Sequence, residues 1–89
     1  YGLYYHSHCD NLYISFCSSK SDLTDAKKVM NRLFIFKDSE TKEICEIRIE
    51  EYTKLRWRRD NRPFLWLEEN LGIDADSLHK RAWSLIQGV

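Results

Sequence analysis

The most regular alternation of apolar and polar side chains lies at residues 45–50, where Cys45, Ile47 and Ile49 interleave with Glu46, Arg48 and Glu50. A period of two puts the apolar set on one face and the charges on the other, which predicts a strand of an antiparallel sheet covered on one side. Leu12, Ile14 and Phe16 alternate with Tyr13 and Ser15 in the same way. Leu3 to Ser7 predicts a preceding strand, with Cys9, Asp10 and Asn11 as turn residues, so the two segments read as a hairpin. Leu33 to Phe36 is a short apolar run that ends at the polar turn Asp38-Ser39-Glu40-Thr41-Lys42, and residues 33–50 read as a second hairpin.

Between the hairpins the spacing changes. Ser18 to Ser21 break the strand, and Leu23, Ala26, Val29, Met30 and Leu33 then recur at helical intervals. This predicts a helix over residues 24–32, capped by Asp22 or Thr24, with Lys27, Lys28 and Asn31 toward water. Residues 50–60 fit two periods. Tyr52, Leu55 and Arg59 suit a short helix, whereas Tyr52, Lys54, Arg56 and Arg58 would share one face of a strand that runs on. The last third is helical. Asn61 can cap a helix carrying Phe64, Leu65, Leu67 and Leu71, with Pro63 in the first turn where its missing N–H is harmless. Gly72 suits the left-handed residue that ends it. Asp74 or Asp76 then caps a final helix with Leu78, Ala82, Leu85 and Ile86 on one face, Trp83 beside that stripe, and Lys80 and Arg81 opposite. The expected fold class is α+β: an antiparallel sheet of three or four strands packed by the 24–32 helix and a C-terminal helical hairpin, in a single domain over residues 1–89.

Composition narrows the class. With 89 residues the chain buries a modest core, roughly 60–65% of its unfolded surface. Twelve aromatic rings (three Trp, five Tyr, four Phe) supply large areas per residue and compensate for that size. Cys9, Cys17 and Cys45 form no CxxC pair and no even framework, so we expect thiols in a reducing compartment, cytoplasmic or nuclear. No stretch has the roughly 18–20 apolar residues of a membrane span, and no basic-then-apolar leader pattern opens the chain, so no membrane role is expected. The chain begins at Tyr1, which leaves room for residues upstream.

The charges cancel, 14 basic against 14 acidic, which argues against binding by bulk attraction and directs attention to local clusters. One stands out: Lys54, Arg56, Arg58, Arg59 and Arg62 fall within nine positions that hold a single acid, Asp60, and Trp57 is interleaved among them. Guanidinium groups fork onto phosphate oxygens and an indole stacks on a base, so this is the residue set a nucleic-acid contact needs. Tyr52 would add a second ring if exposed. The plainer alternative buries Trp57 and leaves the arginines as a solvated face, or pairs them with Glu50, Glu51, Glu68 and Glu69. Lys80 and Arg81 extend the basic set, whereas Glu68, Glu69, Asp74 and Asp76 form a patch of opposite sign. Such bipolarity also suits an acidic protein surface as partner, or a homodimer.

Other constellations are weaker. The spacing of Leu67, Leu71, Gly72, Ile73 and Leu78 resembles a helix-turn-helix DNA-binding motif, which implies that Asp76, Ser77, His79, Lys80 and Arg81 sit near the exposed start of a reading helix. Glu68 stands where that motif has a small residue, and a plain packed helical hairpin, the reading adopted here, gives the same spacing. His6, His8, Cys9, Asp10 and Cys17 are zinc-ligand types at a spacing that fits no common framework, so no metal or cofactor is expected. Cys9 or Cys17 beside His6, His8 or His79 would make a nucleophile and base, and Glu46 and Glu50 near Arg48 or Lys42 could hold magnesium in a nuclease. Alternating charge is, however, the ordinary way to solvate a strand face or guard an edge strand. The expected function is a small regulatory, non-enzymatic binding domain that contacts nucleic acid, with a protein-binding adaptor or inhibitor as the alternative and a metal-dependent nuclease third.

Overall fold

In the computed structural model, residues 1–16 and 24–87 are described, and in chain order they form five strands and then three helices. The strands are β1 (Gly2–His6), β2 (Asn11–Ser15), β3 (Thr24–Met30), β4 (Leu33–Asp38) and β5 (Ile44–Ile49). They pair antiparallel in the order β1-β2-β5-β4-β3. The fold is therefore α+β as expected, with a larger sheet than the three or four strands predicted.

The extra strand is the segment predicted as a helix. Residues 24–30 form the edge strand β3, with Thr24 opening the strand, and Asp22, Cys17 and the Ser18–Ser21 segment lie outside the described residues. The physical cause is the connection to β4. Met30 pairs with Leu33, so Asn31 and Arg32 alone make the turn, and Arg32 carries the left-handed conformation at φ 71°. A helix reaching residue 32 could not turn back into a strand that begins at Leu33. The expected apolar stripe is also largely unburied, since Ala26 is exposed and Val29 and Met30 are half-buried. A register shift between Lys28 and Met30 bulges the edge, which together with Lys27 and Lys28 blunts it against further pairing.

The two predicted hairpins are present, β1–β2 and β4–β5. In the turn 38–42, one Asp38 carboxylate oxygen accepts the Glu40 and Thr41 N–H groups at 2.8 and 3.0 Å. Because β5 pairs with both β2 and β4, it is the central strand, so Glu46, Arg48 and Glu50 do not guard an edge. Register aligns Leu12, Ile49 and Leu33 in one row and Ile14, Ile47 and Ile35 in the next. All six are buried and form the sheet side of the core.

Three helices cover that face: α1 (Tyr52–Trp57), α2 (Arg62–Leu71) and α3 (Ala75–Gln87). They contribute Tyr52, Leu55, Phe64, Leu67, Leu78 and Ala82 to the core, while Leu85 remains 37% exposed. The short-helix reading of residues 50–60 is thus the one the chain adopts. Gly72 ends α2 at φ 66°, as predicted, and its N–H bonds the Glu68 carbonyl at 3.1 Å. The Asp74 carboxylate caps α3 by accepting the Ser77 N–H at 3.2 Å and the Ser77 hydroxyl at 2.8 Å. No described helix is long and apolar enough to cross a membrane.

Candidate functional site

Helix α1 is the element that positions the basic-aromatic cluster, and both of its ends are unusual. Glu51, preceding it, sits at φ 52° and makes no side-chain cap. The cap comes instead from Asp10 in the β1–β2 turn. Its carboxylate accepts the Thr53 N–H at 3.2 Å and the Thr53 hydroxyl at 2.7 Å, and its carbonyl accepts the Tyr52 N–H at 2.8 Å. At the other end, Asp60 N–H bonds the Leu55 carbonyl and Arg59 N–H bonds the Arg56 carbonyl, with Arg59 left-handed at φ 57°. This is a Schellman arrangement with arginine where glycine is usual.

That turn divides the predicted cluster. Lys54, Arg56 and Trp57 remain on α1. They face His79, Lys80, Trp83 and Ile86, which recur at three- and four-residue spacing along one side of α3. Together they line a groove of about 880 Å³, with Tyr52 and Thr53 completing it. Among the described residues no carboxylate lines it. Trp57 is 84% exposed and Trp83 53%, so neither indole is spent on the core. Tyr52, at 1% exposure, is part of the core and cannot stack on a ligand.

The remaining predicted residues lie elsewhere. Arg58 and Arg59 are exposed at the C-terminal turn of α1 and line no part of the groove. Arg62 chelates Asp60, donating from Nε at 3.0 Å and Nη2 at 2.9 Å, and thereby holds the Asp60 carboxyl below its ordinary range. Arg81 lies over the Tyr1 ring at 4.5 Å and donates to the Tyr1 carbonyl at 3.0 Å. Lys54 reaches Glu51 at 3.7 Å, a solvent-screened pair that a ligand can displace at small cost. Among the described residues Arg56 and Lys80 enter no ion pair. Trp57 is therefore not sealed inside as the plainer alternative has it, whereas Arg58 and Arg59 do stand on a solvated surface.

The groove's floor has a fixed protonation state. Tyr52 Oη and His79 Nδ1 lie 2.7 Å apart, and His79 packs edge-on against Phe64 at 4.5 Å. Burial pushes the Tyr52 hydroxyl up to about 12, so it keeps its proton, and its hydrogen bond with Nδ1 runs in the direction the imidazole tautomer sets. Burial, reinforced by Arg56, pushes His79 down from 6.5 to about 4, while Asp76 and Glu68 pull weakly the other way. Between those values the unfolded chain takes up a proton that the native chain does not. Stability therefore declines as pH falls from 6.5 to about 4. Screening by groove solvent limits the loss to about 1–2 kcal/mol. Urea melts at neutral pH and near the lower limit should differ by that amount in the wild type, and His79→Gln should remove the difference.

The helix-turn-helix spacing falls on the α2–α3 connection, and the zinc-type set falls in and around the β1–β2 turn except for Cys17. α2 and α3 are joined through Gly72 as a packed hairpin, with Leu67, Ile73 and Leu78 buried. His79 and Lys80 face the α1 groove rather than the exposed start of α3. Cys9 is exposed near the His6 carbonyl, Asp10 is engaged in capping, and Cys17 lies outside the described residues. No group of three or more metal-ligating side chains occurs among the described residues. Glu46 and Glu50 share the open sheet face with Arg48 between them, and Arg48 Nη2 lies 3.5 Å from Glu50. His79, Trp83 and Ile86, which the cluster at 54–62 does not reveal, join the groove because the tertiary apposition of α1 and α3 brings them to it. No family model matches the chain, and no curated protein or solved structure matches it either.

Proposed function

We propose that this chain is a binding domain that takes single-stranded nucleic acid in the α1–α3 groove. The observation that supports this is the pairing of two solvent-exposed indoles, Trp57 and Trp83, with three cations, Lys54, Arg56 and Lys80, around one cavity that no carboxylate lines among the described residues. Bases would stack on the indoles and the cations would meet phosphates. A single strand fits better than a duplex, because duplex bases are already stacked on one another and offer no face to an indole. The balanced net charge agrees with recognition by a local site rather than by the whole surface.

Titration of the chain with a fluorescein-labelled single strand at several salt concentrations tests the reading. With three phosphate contacts the slope of log K against log salt should be about −2, and each of Lys54→Gln, Arg56→Gln and Lys80→Gln should flatten it by about 0.7. Tryptophan emission should be quenched at saturation. A strand that does not bind at low salt ends this proposal. The same cations and the apolar wall at Ile86 suit an acidic segment of a protein, which would appear as a co-purifying partner that survives nuclease treatment.

A further inference from the structure

The sheet face turned away from the helices carries a second constellation. Register places Tyr4, Tyr13, Arg48, Phe34 and Lys28 in a single row, one residue from each strand. Tyr4 and Tyr13 stack at 4.8 Å with 10° between planes, and His6 meets both edge-on at 5.1 and 5.3 Å. The Arg48 guanidinium lies 4.7 Å from the Phe34 ring and 5.5 Å from the Phe36 ring, and Lys28 Nζ is 6.0 Å from Phe34. An open antiparallel face is ordinarily polar. Here three of the five strands, β1, β2 and β4, contribute rings to that face, and Tyr4 is 40% exposed.

We infer that this face is a second binding surface, on which a single strand of nucleic acid lays unpaired bases across the strands. Antiparallel sheets that read RNA use two or three surface rings in this manner, one base to each. Adjacent strands lie about 4.8 Å apart, so a row of five spans roughly 19 Å, room for a few bases. Such a face is narrow for a protein partner, since a stable interface covers about 800 Å² on each side. Glu46 and Glu50 share the face with Arg48 and Lys28, and Glu50 pairs with Arg48 at 3.5 Å. Lys28, at the edge, is placed for a phosphate. Arg48 stands between two rings, and its planar group continues the stacking surface. The Glu46 carboxylate flanks the row and, among the described residues, enters no ion pair. A carboxylate there repels phosphate but accepts from the exocyclic amino group of cytosine or adenine. The face therefore takes bases that carry an amino group in preference to uracil or thymine.

This inference does not depend on the α1–α3 groove, and the two are tested apart. The Trp57→Ala/Trp83→Ala chain, which has lost the groove's stacking surface, is titrated with oligocytidylate and with oligouridylate of equal length while amide shifts are followed by NMR. Saturable shifts should map to β1, β2, β4 and β5, with oligocytidylate bound about tenfold more tightly. Tyr4→Ser, on an exposed edge position, should weaken that binding about tenfold, and Lys28→Gln a few-fold. Both variants must retain the parental melting temperature, and Lys28→Gln provides an independent reading if Tyr4→Ser does not. The inference is overturned if neither homopolymer shifts the sheet, if shifts fall on the helices alone, or if uridylate binds as tightly as cytidylate. It is overturned equally if sedimentation shows the face closed by a second copy of the chain.

Discussion

Replacing Trp57 and Trp83 together by alanine should reduce groove-dependent binding of a single strand at least about 30-fold, with little change in melting temperature. Loss of one base–aromatic stack costs about 1–3 kcal/mol, so two stacks amount to about 2–6 kcal/mol, and each 1.4 kcal/mol is a factor of ten. The fold should tolerate the change because Trp57 is 84% exposed and Trp83 53%, and surface substitutions usually stay within about 0.5 kcal/mol. Trp83 has the larger share of its surface covered, so Trp83→Ala should account for most of whatever stability is lost. Trp57→Ala alone should weaken binding at least about fivefold. Fluorescence anisotropy with an oligouridylate, which discounts the amino-reading sheet face, gives the affinities, and circular dichroism melts give the stability. Wild-type affinity in the double variant would remove the groove from consideration as a binding site.

How far these features were legible in the sequence depends on the range over which each is determined. The alternation at Cys45–Glu50 and at Leu12–Phe16 is local, and it predicts both hairpins correctly. Gly72 and Asp74 act within one turn of their helices, and both were readable. Residues 24–30 were not, because Ala26, Val29 and Met30 satisfy helical spacing and the deciding turn contains Arg32, not glycine, at positive φ. α1 was ambiguous for a similar reason: its cap, Asp10, is 43 residues away from Thr53, and its final turn uses Arg59 in a glycine-type conformation. The cationic residues of the site were visible as a cluster, but their division between groove and surface was not. That division follows from the turn at Arg59 and from the ion pair between Arg62 and Asp60. The aromatic row on the sheet could not be read at all before the strand order was known, since it needs β5 between β2 and β4.

Asp10→Ala should lower stability by about 2–4 kcal/mol, a large effect for a polar residue in a turn. The carboxylate accepts from the Tyr5 hydroxyl at 2.6 Å and from both the amide and the hydroxyl of Thr53, joining the first hairpin to the start of α1. Hydrogen bonds to a charged group contribute about 1.5–3 kcal/mol each, less when they share one acceptor. The first turn of α1 has no acid of its own, and the Asp10 charge, hydrogen-bonded to its N–H groups, complements the helix N-terminus. Alanine at φ 56° adds backbone strain that aspartate tolerates better. Asp10→Asn keeps an acceptor and the backbone preference and should cost about 1 kcal/mol. Burial pushes the Asp10 carboxyl up, but the hydrogen bonds from Tyr5 and Thr53 outweigh it and hold the group below its ordinary 3.8. Its contribution is therefore complete above pH 3.8 and is lost as pH falls through the lower native value. That window lies below the one in which His79 acts, so the two separate in a pH series of melts. The wild type should lose stability below pH 3.8 more steeply than Asp10→Asn, and parallel curves would mean that the carboxylate's charge is not what holds α1. Because α1 carries Lys54, Arg56 and Trp57, Asp10→Ala should also weaken binding in the groove at neutral pH, although Asp10 does not line it. Tightening the helix end should restore part of that affinity. Arg59→Gly relieves the left-handed strain at the opposite terminus, and in the Asp10→Ala background it should raise the melting temperature and the affinity together.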